Sequence, residues 1–174
     1  MKKSTLLLPF LFVLFSSLTD DTTETIPIKT HFTQLRISGE MKVLLVQNPD
    51  APGLLQYQHG KITTSSIKNV LTIKKKKKVF SNSIPEVVLT INQLEEIIIT
   101  GDVQLTSDGT LQTPKLFIDN RGDGSVELSV ESGKVTVISS PKAKAGIKGS
   151  YNDIKARVDE KGRMEVIYMN TKSR

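Results

Sequence analysis

Past residue 30 the apolar residues come in short alternating runs, not at helical spacing. "LRIS" (35–38), "KVLLVQ" (42–47), "LLQYQ" (54–58), "VLTI" (70–73) and "EVVLTI" (86–91) each place valine, leucine or isoleucine at about every second position. Period two puts those residues on one face of an extended strand, and the β-branched content fits a pleated, half-buried surface. Turn residues separate the runs: Gly39-Glu40, "NPDAPG" (48–53) and His59-Gly60. Residues 61–69 fit neither pattern cleanly. "LEEIIITGDVQLT" (94–106) continues the strand pattern. No apolar period of 3.6 appears, so the chain is predicted to be all-β, with no linker dividing it.

The second half adds a longer period. Ile97, Leu116, Val135 and Ile154 are spaced by nineteen, as are Ile99, Ile118, Val137 and Ala156. Two more columns, Val126, Ala145, Met164 and Leu128, Ile147, Val166, keep the same spacing. A fixed period with matched apolar columns marks stacked units, each too thin to bury its own hydrophobic face. The turns between strand pieces, "GDG" (122–124), "PKA" (141–143) and "EKG" (160–162), end on Gly124, Ala143 and Gly162, small enough for a tight corner. The first unit departs from the spacing, because "SDGT" (107–110) lengthens its connection. The predicted architecture is a right-handed β-solenoid of two facing sheets with roughly 19-residue coils, preceded by a less regular β region. The rival, a β-sandwich, leaves four matched columns unexplained.

The N-terminus reads differently. Lys2 and Lys3 precede an almost wholly apolar run from Leu6 to Leu18, followed by Thr19 and acidic residues. That is the layout of a secretory signal peptide, and the run is short of the ~20 residues that span a bilayer as a helix. Residues 1–19 are therefore expected to be a signal peptide and 20–174 a single domain. Cleavage leaves no transmembrane segment, and an exported product of the periplasm or cell surface is expected. With no cysteine in the chain, disulfides, lipoprotein anchoring and thiolate chemistry are not expected.

Net charge is +6 for the full chain and falls to +4 without Lys2 and Lys3. Much of the excess is one run, Lys74, Lys75, Lys76, Lys77 and Lys78, which is the candidate contact for an anion. Lysines at a sheet edge also block edge-to-edge pairing, and a charge block is commonly just solvated. The run lacks arginine and interleaved aromatics, so nucleic acid is not expected as a partner. Aromatic platforms are scarce too, with no tryptophan anywhere.

Other motifs favour structural roles. Arg121-Gly122-Asp123 falls at a predicted corner, where Gly122 and Gly124 serve the turn and Asp123 stacks beside Lys142 and Lys161. "DNRGDGSVELSVE" (119–131) brushes a calcium loop, but Arg121 and Val130 stand where ligands are needed. His31 and His59, the only histidines, offer no zinc set, so no metal or cofactor is expected. Glu95, Glu96, Asp102 and Asp108 are the carboxylates for acid–base work, which needs two of them facing across a cleft. Adjacent Glu95 and Glu96 would point to opposite strand faces, and Asp102 at nineteen from Arg121 reads as a surface ion pair. No catalytic residue is assigned.

"FTQLRISGEMKVLLVQ" (32–47), "NVLTI" (69–73), "PEVVLTINQLEEIIITGDVQL" (85–105) and "KGRMEVIYMN" (161–170), taken in order, resemble the bacterial putative auto-transporter adhesins with a head GIN domain. The resemblance implies a two-sheet β-solenoid, export, and no established catalytic residues. The turns here differ from the Gly-Ser-Gly common in that family. The expected function is an exported, non-enzymatic, adhesin-like surface or envelope binding module. Its expected partners are an anionic glycan or cell-surface component, or a second copy of the chain. The alternatives are a polysaccharide-processing envelope enzyme and a structural periplasmic protein without ligand.

Overall fold

The computed structural model describes residues 23–77, 83–158 and 169–170. The proposed signal peptide, Lys78, Lys161, Gly162, Met164 and Val166 lie outside the described residues. Every regular element is a strand: β1 (Thr23–Ile28), β2 (Gln34–Ser38), β3 (Met41–Gln47), β4 (Gly53–Gln58), β5 (Ile62–Ile67), β6 (Val70–Lys75), β7 (Glu86–Ile91), β8 (Glu96–Thr100), β9 (Val103–Asn120), β10 (Ser125–Ser139), β11 (Lys144–Val158) and β12 (Met169–Asn170). The unassigned stretch 61–69 is mostly β5, the outer half of a hairpin with β6.

All twelve strands belong to one mixed sheet around one core. Alternation drives it. In β7 each second residue (Val87, Leu89, Ile91) is buried, and Leu35, Leu45, Ile73, Ile97, Ile99 and Leu105 are each 0% exposed, as period two requires. Parallel pairs form the middle and antiparallel pairs β1–β4, β4–β7 and β5–β6 form the flanks.

The strand order is not the chain order. β2 lies between β6 and β8, and β3 between β7 and β9. β2 and β3 do not pair with each other; the chain adds β6 and β7 on one side of them and β8 and β9 on the other. The N-terminal β region therefore does not precede the regular part in space; it is interleaved with it.

The long strands β9, β10 and β11 carry the offset read from the sequence. Leu116, Val135 and Ile154 are register partners, as are Ile118, Val137 and Ala156. Val126 faces Ala145 and Leu128 faces Ile147. The first member of each longer column is corrected. Ile97 pairs with Ile118, not Leu116, and Ile99 with Asn120, not Ile118. The two extra residues are absorbed on β9, where the partner of Glu127 is Thr106 but that of Ser129 is Thr110. Ser107 steadies this bulge: its hydroxyl donates to Gly109 O (3.0 Å) and accepts from Ser129 N (3.0 Å).

Corners stack as tightly as strands. Gly39 N donates to Thr100 O and Arg121 N to Ile99 O, both at 2.9 Å. This superposes Ser38-Gly39-Glu40, Thr100-Gly101-Asp102 and Arg121-Gly122-Asp123. A Cβ on Gly122 would sit 1.7 Å from Gly101 O, and one on Gly39 would sit 2.7 Å from Lys75 Cβ. The column closes because three of its members are glycine.

Candidate functional site

The lysine run is not at a sheet edge. Lys74 and Lys75 end β6, which is paired with β2 on one side and β5 on the other; the edge strand is β5. Lys75 Nζ bonds Glu40 Oε2 at 2.8 Å, so it belongs to the corner column. Lys74, Lys76 and Lys77 are exposed. The anion contact thus reduces, among the described residues, to three solvated ammonium groups beside one paired one.

The Arg121-Gly122-Asp123 tripeptide is a corner. Arg121 Nε and Nη2 reach Asp119 Oδ2 at 2.7 and 2.6 Å, and that carboxylate holds the guanidinium above its usual pKa range. The pairing replaces the expected one between Asp102 and Arg121. Asp123 Oδ2 lies 3.8 Å from Lys142 Nζ, the charge column expected from the sequence. A buried Gly122 and an engaged arginine leave the tripeptide in structural use.

At the far flank, His59 Nδ1 lies 2.8 Å from Glu24 Oε2. Hydrogen bonds from His59 and Tyr57 hold the Glu24 carboxyl below the usual range, and burial followed by that same bond raises the Tyr57 phenol. The group pins β1 to the end of β4. Among the described residues no cluster of three or more His, Asp or Glu could hold a metal ion.

The carboxylates are sorted by position. Asp102 sits at a corner and Asp108 in the β9 bulge, both exposed and away from Glu95 and Glu96. Glu95 and Glu96 do share a groove, contrary to the opposite-face expectation, because Glu95 precedes β8 and is not yet in strand alternation. Thr33 O receives both backbone N–H groups, from Glu95 (2.8 Å) and Glu96 (3.1 Å). The Glu95 carboxylate is taken by Lys115 at 3.1 Å and Gln93 at 3.3 Å.

This groove has a volume of about 430 Å³ and is also lined by Gln34, Asn69, Phe117, Lys134 and Thr136. Gln34, Glu96, Phe117 and Thr136 are register partners on β2, β8, β9 and β10. They form one row on the face opposite Leu35, Ile97, Ile118 and Val137. A second groove, about 690 Å³, lies on the outward face of β9 to β11 and holds Lys142, Lys144, Lys148, Glu127 and Ser129. The sequence singled out Glu95 and Glu96 but did not show that either groove exists. Both are assembled from segments that only the register brings together.

Residues 31–173 match the family described as "Putative auto-transporter adhesin, head GIN domain". The chain belongs to this family. The head GIN fold is also that of two solved structures. One is a putative adhesin from Bacteroides fragilis NCTC 9343, 13% identical, covering 84% of this chain and 97% of its own, with TM-score 0.54. The other is a putative adhesin from Parabacteroides merdae ATCC 43184, 13% identical, covering 83% and 80%, with TM-score 0.51. No curated protein matches the chain. The family and these neighbours are named as adhesin-like, not as enzymes. Among the described residues of this head GIN domain, no helix is long and apolar enough to cross a membrane.

Proposed function

We propose that this head GIN domain is an exported, non-enzymatic, adhesin-like binding module of the cell envelope or surface, wound as a right-handed β-solenoid of two facing sheets with roughly 19-residue coils. The winding is supported by the parallel registers at nineteen residues between β10 and β11 and by strands β9 to β11 that each pair along two separate stretches. Export is supported by the basic, then apolar, N-terminus and by the family's description. The observation that carries the binding role is the pair of grooves on outward strand faces, the first of them on four strands each paired on both sides. Such faces are rigid and are built for side-chain recognition.

The partner we propose is a glycan of the envelope or of another cell. An acidic one would meet the ammonium groups of Lys74 to Lys78. Against the enzyme reading stands Glu95, whose carboxylate is tied to Lys115 and so is not free to act with Glu96 across a cleft.

The test is incubation of the protein with a panel of neutral and acidic polysaccharides, scored for retention and for cleavage. Retention without cleavage is expected. Acidic members should bind at low salt and weaken as the Debye length falls towards ~8 Å at physiological ionic strength. Replacing Lys74 to Lys78 by serine and threonine should abolish the acidic binding and leave melting within a few degrees of the parent, since exposed charges contribute little. Release of shortened glycan would establish the enzyme instead, and no retention of any member would leave a structural protein.

A further inference from the structure

The groove beside β8 has chemistry that the lysine run lacks. Its formal charges balance, Glu95 and Glu96 against Lys115 and Lys134, and one pair is already closed between Glu95 and Lys115. A site of balanced charge has no net field of one sign with which to concentrate an ion. It offers instead a mixed set of donors and acceptors: the Gln34 amide, the Glu96 carboxylate, the Lys134 ammonium and the Thr136 hydroxyl. Among them stands Phe117, a partly buried aromatic on the outward face of β9.

The floor is held in place by backbone bonds. Phe117 N donates to Glu95 O at 2.8 Å, and Thr33 N and Gln34 N both donate to Asn69 O at 3.1 Å. The backbone that carries these side chains is therefore ordered before any ligand arrives, which lowers the entropy lost on binding. The four strands beneath the row are each paired on both sides. No free strand edge lies in the groove, so an extended peptide cannot add to it as a strand. Recognition there falls to side chains, and this mixed set suits a ligand with many hydroxyls and an apolar ring face.

We propose that this groove binds an uncharged oligosaccharide, with a sugar ring against Phe117 and its hydroxyls on Gln34, Glu96 and Thr136. The proposal rests on the reading of the protein as a glycan-binding module, and it assigns that role to a surface distinct from the lysines. The volume of about 430 Å³ falls within the range of small-ligand sites and suits a short stretch of glycan, not a long one.

The experiment is calorimetric titration of the full protein with three neutral tetrasaccharides: α-1,4-linked glucose, β-1,4-linked glucose and β-1,4-linked N-acetylglucosamine. At least one should bind, with the same affinity at low and high salt. Phe117→Ala should weaken it roughly tenfold, the scale of one lost ring contact. Gln34→Ala and Glu96→Gln should each weaken it several-fold, and they carry the test if Phe117→Ala fails to fold. Arg36→Ala, on β2 but outside the groove, should leave affinity unchanged. Failure of all three sugars overturns the proposal, as does binding that survives all three groove variants or fades with salt. Acidic polysaccharide still retained in that case would show that the groove assignment had failed while the adhesin-like reading stood.

Discussion

Ile118→Asp should abolish cooperative folding at room temperature, whereas Phe117→Asp, one residue away, should leave a folded protein. Ile118 is 0% exposed and lies between its register partners Ile97 and Val137. A carboxylate there has no partner, and burying an unpaired charge costs several kcal/mol even after the group takes up a proton. Domains have only about 5–15 kcal/mol in total. The apolar column is also broken at its middle, so the loss is shared by β8, β9 and β10. Ile118→Ala should be graded, costing about 2–5 kcal/mol through the cavity it leaves. Phe117 faces outward and is only partly buried, so an aspartate there can reach water. Thermal unfolding followed by circular dichroism separates the two. Equal damage at both positions would mean that the inward and outward faces are assigned the wrong way round.

The second large effect is expected at a glycine with no buried side chain to lose. Gly122→Ala would place a Cβ 1.7 Å from Gly101 O, 2.6 Å from Gly101 C and 2.7 Å from Gly101 N. Those are backbone atoms of the next corner, and no rotamer change relieves the overlap. The corners must separate, which breaks the bond from Arg121 N to Ile99 O. A destabilisation of about 3 kcal/mol is expected, at the upper end for overpacking. For a domain of this size that lowers the melting temperature by roughly 10 °C. Asp123→Ala, the neighbouring substitution, removes only an exposed contact of 3.8 Å with Lys142 and should move melting by no more than a few degrees. A large loss from Asp123→Ala with none from Gly122→Ala would contradict the stacked-corner account.

These two positions also show where the sequence was informative and where it was mute. Alternation identified the strands because period two is a local property. The spacing of nineteen predicted the partners along β10 and β11 because those strands have no insertion between them. It failed at Ile97 for a definite reason. Leu116 and Ile118 are both apolar and have the same parity, so a slip of two residues leaves every side chain on its proper face. Pattern alone cannot tell the two registers apart, and the bulge at Ser107 to Gly109 decides. The interleaving of β2 and β3 was likewise invisible, since local pattern does not say which strand lies beside which.

The candidate surfaces divide the same way. The lysine run announces itself in the sequence, yet its setting inside the sheet depends on β5, the stretch whose pattern was ambiguous. Arg121-Gly122-Asp123 was legible as a turn, and the structure makes it the third of three stacked corners with glycine at the same place. The groove around Phe117 draws on residues 33–34, 69, 95–96, 115–117, 134 and 136. Gln34, Glu96 and Phe117 become one row only through the offset between β8 and β9 that the period of nineteen misplaced.

Every binding role proposed above requires the protein to leave the cytoplasm. The most direct measurement is fractionation of producing cells, with protease shaving of intact cells and mass spectrometry of the recovered N-terminus. A chain in the envelope fraction, beginning between about Leu18 and Thr25, is the result this account predicts. Sensitivity to shaving would place it on the outer surface, and protection would place it in the periplasm. Intact chains that still begin at Met1, recovered from the cytosol, would contradict the account.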